Sequence, residues 1–190
     1  MNDPSLGRRR FTLALPLLAA ACSSPEPNYY TIVPRNGPTQ PRGPKVVLLK
    51  DIGLASYLDR KEIVKSSEGY KLDIRANDWW GESLAGLIGR VLVFELSERL
   101  PGSSVYAESG AISADPNCTV GVNIQRLDAD KAGSLILLAQ VAVEFNRPRR
   151  TAARSFTISK PLATPDTAGL VAAISDALGE LADGIATMLQ

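Results

Sequence analysis

The chain has 190 residues, 45% of them hydrophobic and 22% charged, with a formal net charge of +1 and no histidine. That length supports one domain with a sizeable core, and the composition excludes wholesale disorder. The missing histidine excludes Ser-His-Asp and Cys-His catalysis and the usual histidine-based metal sites.

Arg8, Arg9 and Arg10 precede an apolar run from Phe11 to Ala21. Such a run is about 16 Å long as a helix and cannot cross a hydrocarbon core of about 30 Å. A basic head, a short apolar stretch and the small residues Ala19, Ala20 and Ala21 form the pattern of a signal peptide. Cys22 follows at once, and the join resembles the bacterial lipobox. There the thiol is acylated (palmitate is a typical chain), the preceding peptide is cleaved, and the new N-terminus becomes a lipid anchor. Leu18 stands four residues before the cysteine, one further than usual. A plain secretory signal cut near Ala21 and a buried N-terminal helix are the competing readings. Arg8–Phe11 also resembles a twin-arginine export motif, and both that route and the general secretory route fit these letters. Ser23 stands where an aspartate would resemble an inner-membrane retention signal, which favours the outer membrane. Removing residues 1–21 leaves 18 basic and 19 acidic residues. A near-neutral body lacks the basic surface that nucleic acid requires.

Residues 22–45 read as the anchor and a spacer. Six of the thirteen prolines fall between Ser23 and Lys45, which favours extended backbone. Within it, Tyr29–Val33 (YYTIV) has the β-branched and aromatic letters of a short docking strand. The domain proper is expected over 46–190. Val46–Ile52 reads as a buried strand, and Glu62–Ile74 as a hairpin turning at Ser66–Gly69. From Glu82 to Leu100, Leu84, Leu87, Ile88, Val91, Leu92, Phe94 and Leu96 predict a largely buried helix stopped by Pro101-Gly102. A strand near Ser104–Ala107 follows.

Cys118, Val120, Val122 and Ile124 alternate with polar or small residues, the pattern of a half-buried strand ending near Gln125. Leu135, Leu137, Ala139, Val141, Val143 and Phe145 give the inner face of a second strand. Arg150–Ser159 makes a third after the turn Asn146–Arg149. A helix starts near Pro165 with Thr164 as its cap. Leu170, Ile174, Leu178, Leu181, Ile185 and Met188 form its apolar stripe. The pattern predicts a single α/β domain with a mixed sheet and two main helices.

The lipobox cysteine, YYTIV, SYLDRKEIV (Ser56–Val64) and NDWWGESL (Asn77–Leu84) together resemble the PqiC/YmbA family of ABC-type transport auxiliary lipoproteins. The resemblance covers essentially the whole mature chain. Its most specific letters are Tyr57-Leu58-Asp59-Arg60 and Trp79; Trp80 replaces the usual alanine. The resemblance implies an outer-membrane lipoprotein on the periplasmic face, partnered with an MCE-domain protein that bridges the periplasm and moves lipids. It also implies a three-layer domain with a mixed, roughly five-stranded sheet, similar to anticodon-binding-like folds.

Cys22 is the residue with strong chemistry, as the lipidation site. Cys118 keeps step with core valines and reads as a buried, inert thiol. Tyr57, Asp59 and Arg60 fit two roles: a structural turn, or a partner surface of the kind that favours Tyr and Arg. Trp79 and Trp80 are placed at the helix start, where one is expected to face outward and offer partner or lipid contact. Arg147, Arg149 and Arg150 at a hairpin turn fit a solvated turn or contact with anionic lipid or an acidic partner. Asp128 and Asp130 are placed in a loop with Lys131. No nucleophile–base pair, phosphate loop, cofactor motif or metal-ligand spacing is visible, and no enzyme is expected. The reading is an outer-membrane-anchored docking component of MCE-type lipid transport. Its rival is a structural lipoprotein that supports outer-membrane protein or envelope assembly without transport.

Overall fold

The computed structural model describes residues 26–112 and 114–190. The signal-peptide run, the three leading arginines and Cys22 lie outside the described residues. Among the described residues the chain forms nine strands and two helices. These are β1 (Asn28–Tyr30), β2 (Val46–Leu49), β3 (Gly53–Leu54), β4 (Glu62–Ser66), β5 (Asp73–Trp80), α1 (Leu84–Arg99), β6 (Ser104–Ala107), β7 (Cys118–Ala129), β8 (Ser134–Asn146), β9 (Arg149–Pro161) and α2 (Thr167–Met188).

The larger sheet runs β6-β2-β7-β8-β9, with β3 beside β7 off that path. Its first three strands are parallel and its last three antiparallel, so the mixed α/β domain with two helices expected from the sequence is present. One face is apolar: Val120 and Ile124 of β7 and Leu135, Leu137, Val141 and Val143 of β8 are buried there. Both helices pack on each other, and α2 lies against β8 and β9. The opposite face stays polar or small (Thr119, Gly121, Asn123, Gln140, Ala142, Glu144), and one end of it is covered by the loops flanking β4. A smaller sheet, β1-β5-β4, sits beside the start of α2.

β7 continues beyond the expected end at Gln125, and its register shifts between Ile124 and Arg126. Before the shift the even-numbered residues face the helices; after it Leu127 and Ala129 do. A bulge of this kind moves the alternation by one residue. Here it takes Arg126 and Asp128 off the core face. Asp128, expected in a loop, is therefore a strand residue, and it is fully buried under the loop before β4.

Other boundaries also differ from expectation: β1 ends at Tyr30 and not at Val33, and β2 at Leu49 and not at Ile52. β5 runs through Trp79 and Trp80, so the tryptophans end a strand and do not open a helix. Ser83 caps α1, its hydroxyl accepting from the Gly86 amide at 3.2 Å. The cap of α2 is Asp166, which accepts from the Gly169 amide at 2.8 Å, while the Thr164 hydroxyl donates to Asp166. A carboxylate at this position also faces the positive end of the helix dipole. Finally, Phe94 points to solvent, and Glu95 and Arg99 occupy the buried stripe of α1.

The proline-rich stretch is extended, but it is not a free spacer. It runs as a strap along both helices. Ile32 is buried in the core, and the Val33 amide donates to the Ser175 hydroxyl. The Arg35 amide donates to Glu95, and the Gln40 amide to the Arg99 carbonyl. By Gln40 the strap has reached Gln190, just beyond the end of α2.

Candidate functional site

The strap runs from one end of the helix pair to the other. Asn28 donates to Asp78, which also accepts from Thr167, the first residue of α2. The smaller sheet therefore lies at the helix N-termini. The β8–β9 turn lies at the C-termini, where the Arg150 guanidinium donates to the backbone oxygen of Gln190. The 22 residues of α2 separate the two ends by about 33 Å.

At the N-terminal end, Tyr57 is half-buried and its hydroxyl donates to Asp128 at 2.7 Å. Burial and this bond to a carboxylate push the phenol up to about 12. Arg126 completes the cluster, with Nε 3.0 Å from Asp128 and Nη2 3.5 Å from Glu68. Tyr57 thus has a structural task, because an unpaired buried carboxylate would be costly. Arg60 is half-buried and its Nε has no hydrogen-bond partner, whereas Asp59 is exposed. Strand alternation separates the tryptophans. Trp80 is 5% exposed and packed in the core, which removes it as a contact residue. Trp79 is half-buried on the outer face, with its indole N–H donating to the Ala76 carbonyl. Tyr29 meets it edge-on, ring centroids 6.0 Å apart, and the Lys61 ammonium stands 3.8 Å above its ring.

Between the ends lies a charged cluster that sequence reasoning missed. Arg99 is fully buried. It pairs with Asp183 at 2.5 Å and donates to the carbonyls of Arg35, Glu95 and Gly179 at 3.0–3.1 Å. Arg35 also pairs with Asp176 at 2.6 Å. Glu95 is fully buried, and its second carboxylate oxygen has no partner. Desolvation pushes its carboxyl up to about 7, against the Arg35 amide and the Arg99 charge, which favour the ionised form. The chain makes room with glycine. A Cβ on Gly37 would collide with the Arg99 guanidinium, and one on Gly179 would lie 2.8 Å from Arg35 Cβ. The available signal was positional: Glu95 and Arg99 continue the buried helical stripe of Ile88 and Leu92 at spacings of three and four, where charge is unexpected.

At the C-terminal end, Arg147 and Arg150 join Arg42, Lys45 and Phe145 around a groove of about 600 Å³, and Arg149 lies between them in sequence. Among the described residues none of these five cations makes an ion pair with a side-chain carboxylate. Arg150 lies over the Phe145 ring at 3.9 Å. The C-terminal ends of both helices face this way, and their dipoles favour positive charge there.

Cys118 is buried, and desolvation pushes its thiol up to about 11, away from the thiolate range. Among the described residues no group of three or more His, Cys, Asp and Glu is placed to hold a metal ion. No described helix is long and apolar enough to cross a membrane. What the arrangement offers is surface: an aromatic patch at one end and a basic groove at the other.

A family model described as "ABC-type transport auxiliary lipoprotein component" matches residues 30–186, so the matched region includes the strap. No curated protein matches the chain. Among solved structures, one described as an uncharacterized protein is 17% identical, with a TM-score of 0.74, over 87% of this chain and 100% of that one. Protein XCC0632 from Xanthomonas campestris is 18% identical, with a TM-score of 0.68, over 85% of this chain and 94% of that one. At these identities the likeness establishes a shared fold.

Proposed function

Because the chain belongs to the family of ABC-type transport auxiliary lipoproteins, we propose that it is a non-catalytic docking component of an MCE-type system that moves lipid between membranes. Cys22 anchors it to the periplasmic face of the outer membrane. The family membership carries the reading, and two features support it. The C-terminal end presents Arg147, Arg149 and Arg150, none of which has a side-chain carboxylate partner among the described residues, and this suits an acidic protein surface. That end also lies about 33 Å, the length of α2, from the start of the strap, so it points away from the anchored membrane. Arg147, Arg149 and Arg150 accordingly serve the partner and not the lipid.

Acyl chains would supply nearly all the membrane affinity. Cys22→Ala should therefore leave the protein in the soluble periplasmic fraction, and firm retention in membranes would refute lipidation at Cys22. Co-purification of the acylated protein after mild solubilisation tests the partner. Recovery of an MCE-domain protein, lost when Arg147, Arg149 and Arg150 are changed to glutamate, is the expected result. Recovery of outer-membrane assembly components or peptidoglycan instead would favour a structural role without transport.

A further inference from the structure

We propose that the face formed by Tyr29, Trp79 and Lys61 docks into the headgroup layer of the membrane that holds the N-terminal anchor. This rests on the reading of Cys22 as the lipidated residue. Tyr29 is 66% exposed, an unusual position for a large ring, and it stacks edge-on against the half-buried Trp79. The Trp79 N–H is already satisfied by the Ala76 carbonyl, so the indole needs no acceptor from outside. The Lys61 ammonium above it and the Tyr29 hydroxyl are the polar tips. Rings with one polar end, beside a lysine able to extend toward water, are the side chains that settle at a bilayer interface.

The tether selects the occupant. Only residues 23–27 separate Cys22 from β1, so at full extension Asn28 lies within about 20 Å of the acylated cysteine. β1 is an edge strand of the smaller sheet, and its Tyr29 lies in register beside Trp79 of β5. A lipid surface is thus the one partner held permanently near this patch. The Lys61 charge is offset by Glu62, which follows it directly and pairs across from Trp79. Docking is therefore a matter of aromatic insertion among zwitterionic headgroups, and it should be insensitive to salt.

The test uses the full acylated protein in vesicles of phosphatidylethanolamine and phosphatidylcholine, with phosphatidylcholine brominated near the top of its acyl chains as quencher. Tryptophan fluorescence should fall relative to unbrominated vesicles. The loss should persist in high salt, shrink in Tyr29→Ser, and vanish in Trp79→Phe, since Trp80 is buried. The mass of the N-terminal peptide reports acylation separately. Acylated protein without quenching, or quenching that survives Trp79→Phe, overturns the docking face and leaves the anchor standing. An unacylated Cys22 overturns both.

Discussion

The Tyr57 hydroxyl donates to the buried Asp128 carboxylate at 2.7 Å, linking residues 71 positions apart. The bond fastens the loop before β4 to the outer face of the large sheet. Tyr57→Phe removes one of the two side chains that satisfy a carboxylate with no access to water. The predicted cost is about 1–3 kcal/mol, the usual penalty for an orphaned buried acceptor. Urea unfolding measures it; a midpoint equal to the parent's would mean that Arg126 alone suffices.

Glu95 gives a pH signature. Its carboxyl is raised in the folded state to about 7, so folding favours the protonated form. The associated stability is fully present below the unfolded value near 4.5 and is lost as pH rises through about 7. Glu95→Gln keeps the acceptor for the Arg35 amide without the charge. It should be nearly neutral at about pH 4 and stabilising by about 1–3 kcal/mol at about pH 8. Unfolding curves at the two pH values decide it, and equal differences at both would remove Glu95 as the titrating group.

Arg99→Met strips the strap of its central donor and leaves the carbonyls of Arg35, Glu95 and Gly179 without it. We expect a loss of roughly 3–5 kcal/mol, typical of breaking a buried ionic cluster by removing one member. Limited proteolysis should then cut within residues 34–44 before the domain body. Cleavage elsewhere first would show that the strap is held by its apolar contacts.

Leu178 lies fully buried at the centre of the α2 stripe. Leu178→Ala should cost about 2–5 kcal/mol through lost burial and the remaining cavity. An effect near zero in denaturant unfolding would mean that α2 does not depend on this contact.

Local pattern determined much of this protein. β7 and β8 were legible because one face of each is apolar, and the α2 stripe because its spacing repeats every three or four residues; the two-residue β3 is too short to carry such a pattern. Alternation also puts Trp79 and Trp80 on opposite faces once they are known to lie in a strand. The strand itself was not evident, since a helix start and a strand end share the same polar neighbours. Tertiary structure decided the rest. The shift in β7 turns Asp128 from an apparent loop residue into a buried one, although Leu127 and Ala129 already carry the changed phase in the sequence. The strap looked like a spacer because proline favours extended backbone, and extended backbone can equally lie along two helices. What fixes it there is Arg99, whose partners on α1, α2 and the strap stand up to 84 positions away. Side-chain periodicity reports which face of an element is buried, but it carries no record of which distant charge will complete that face.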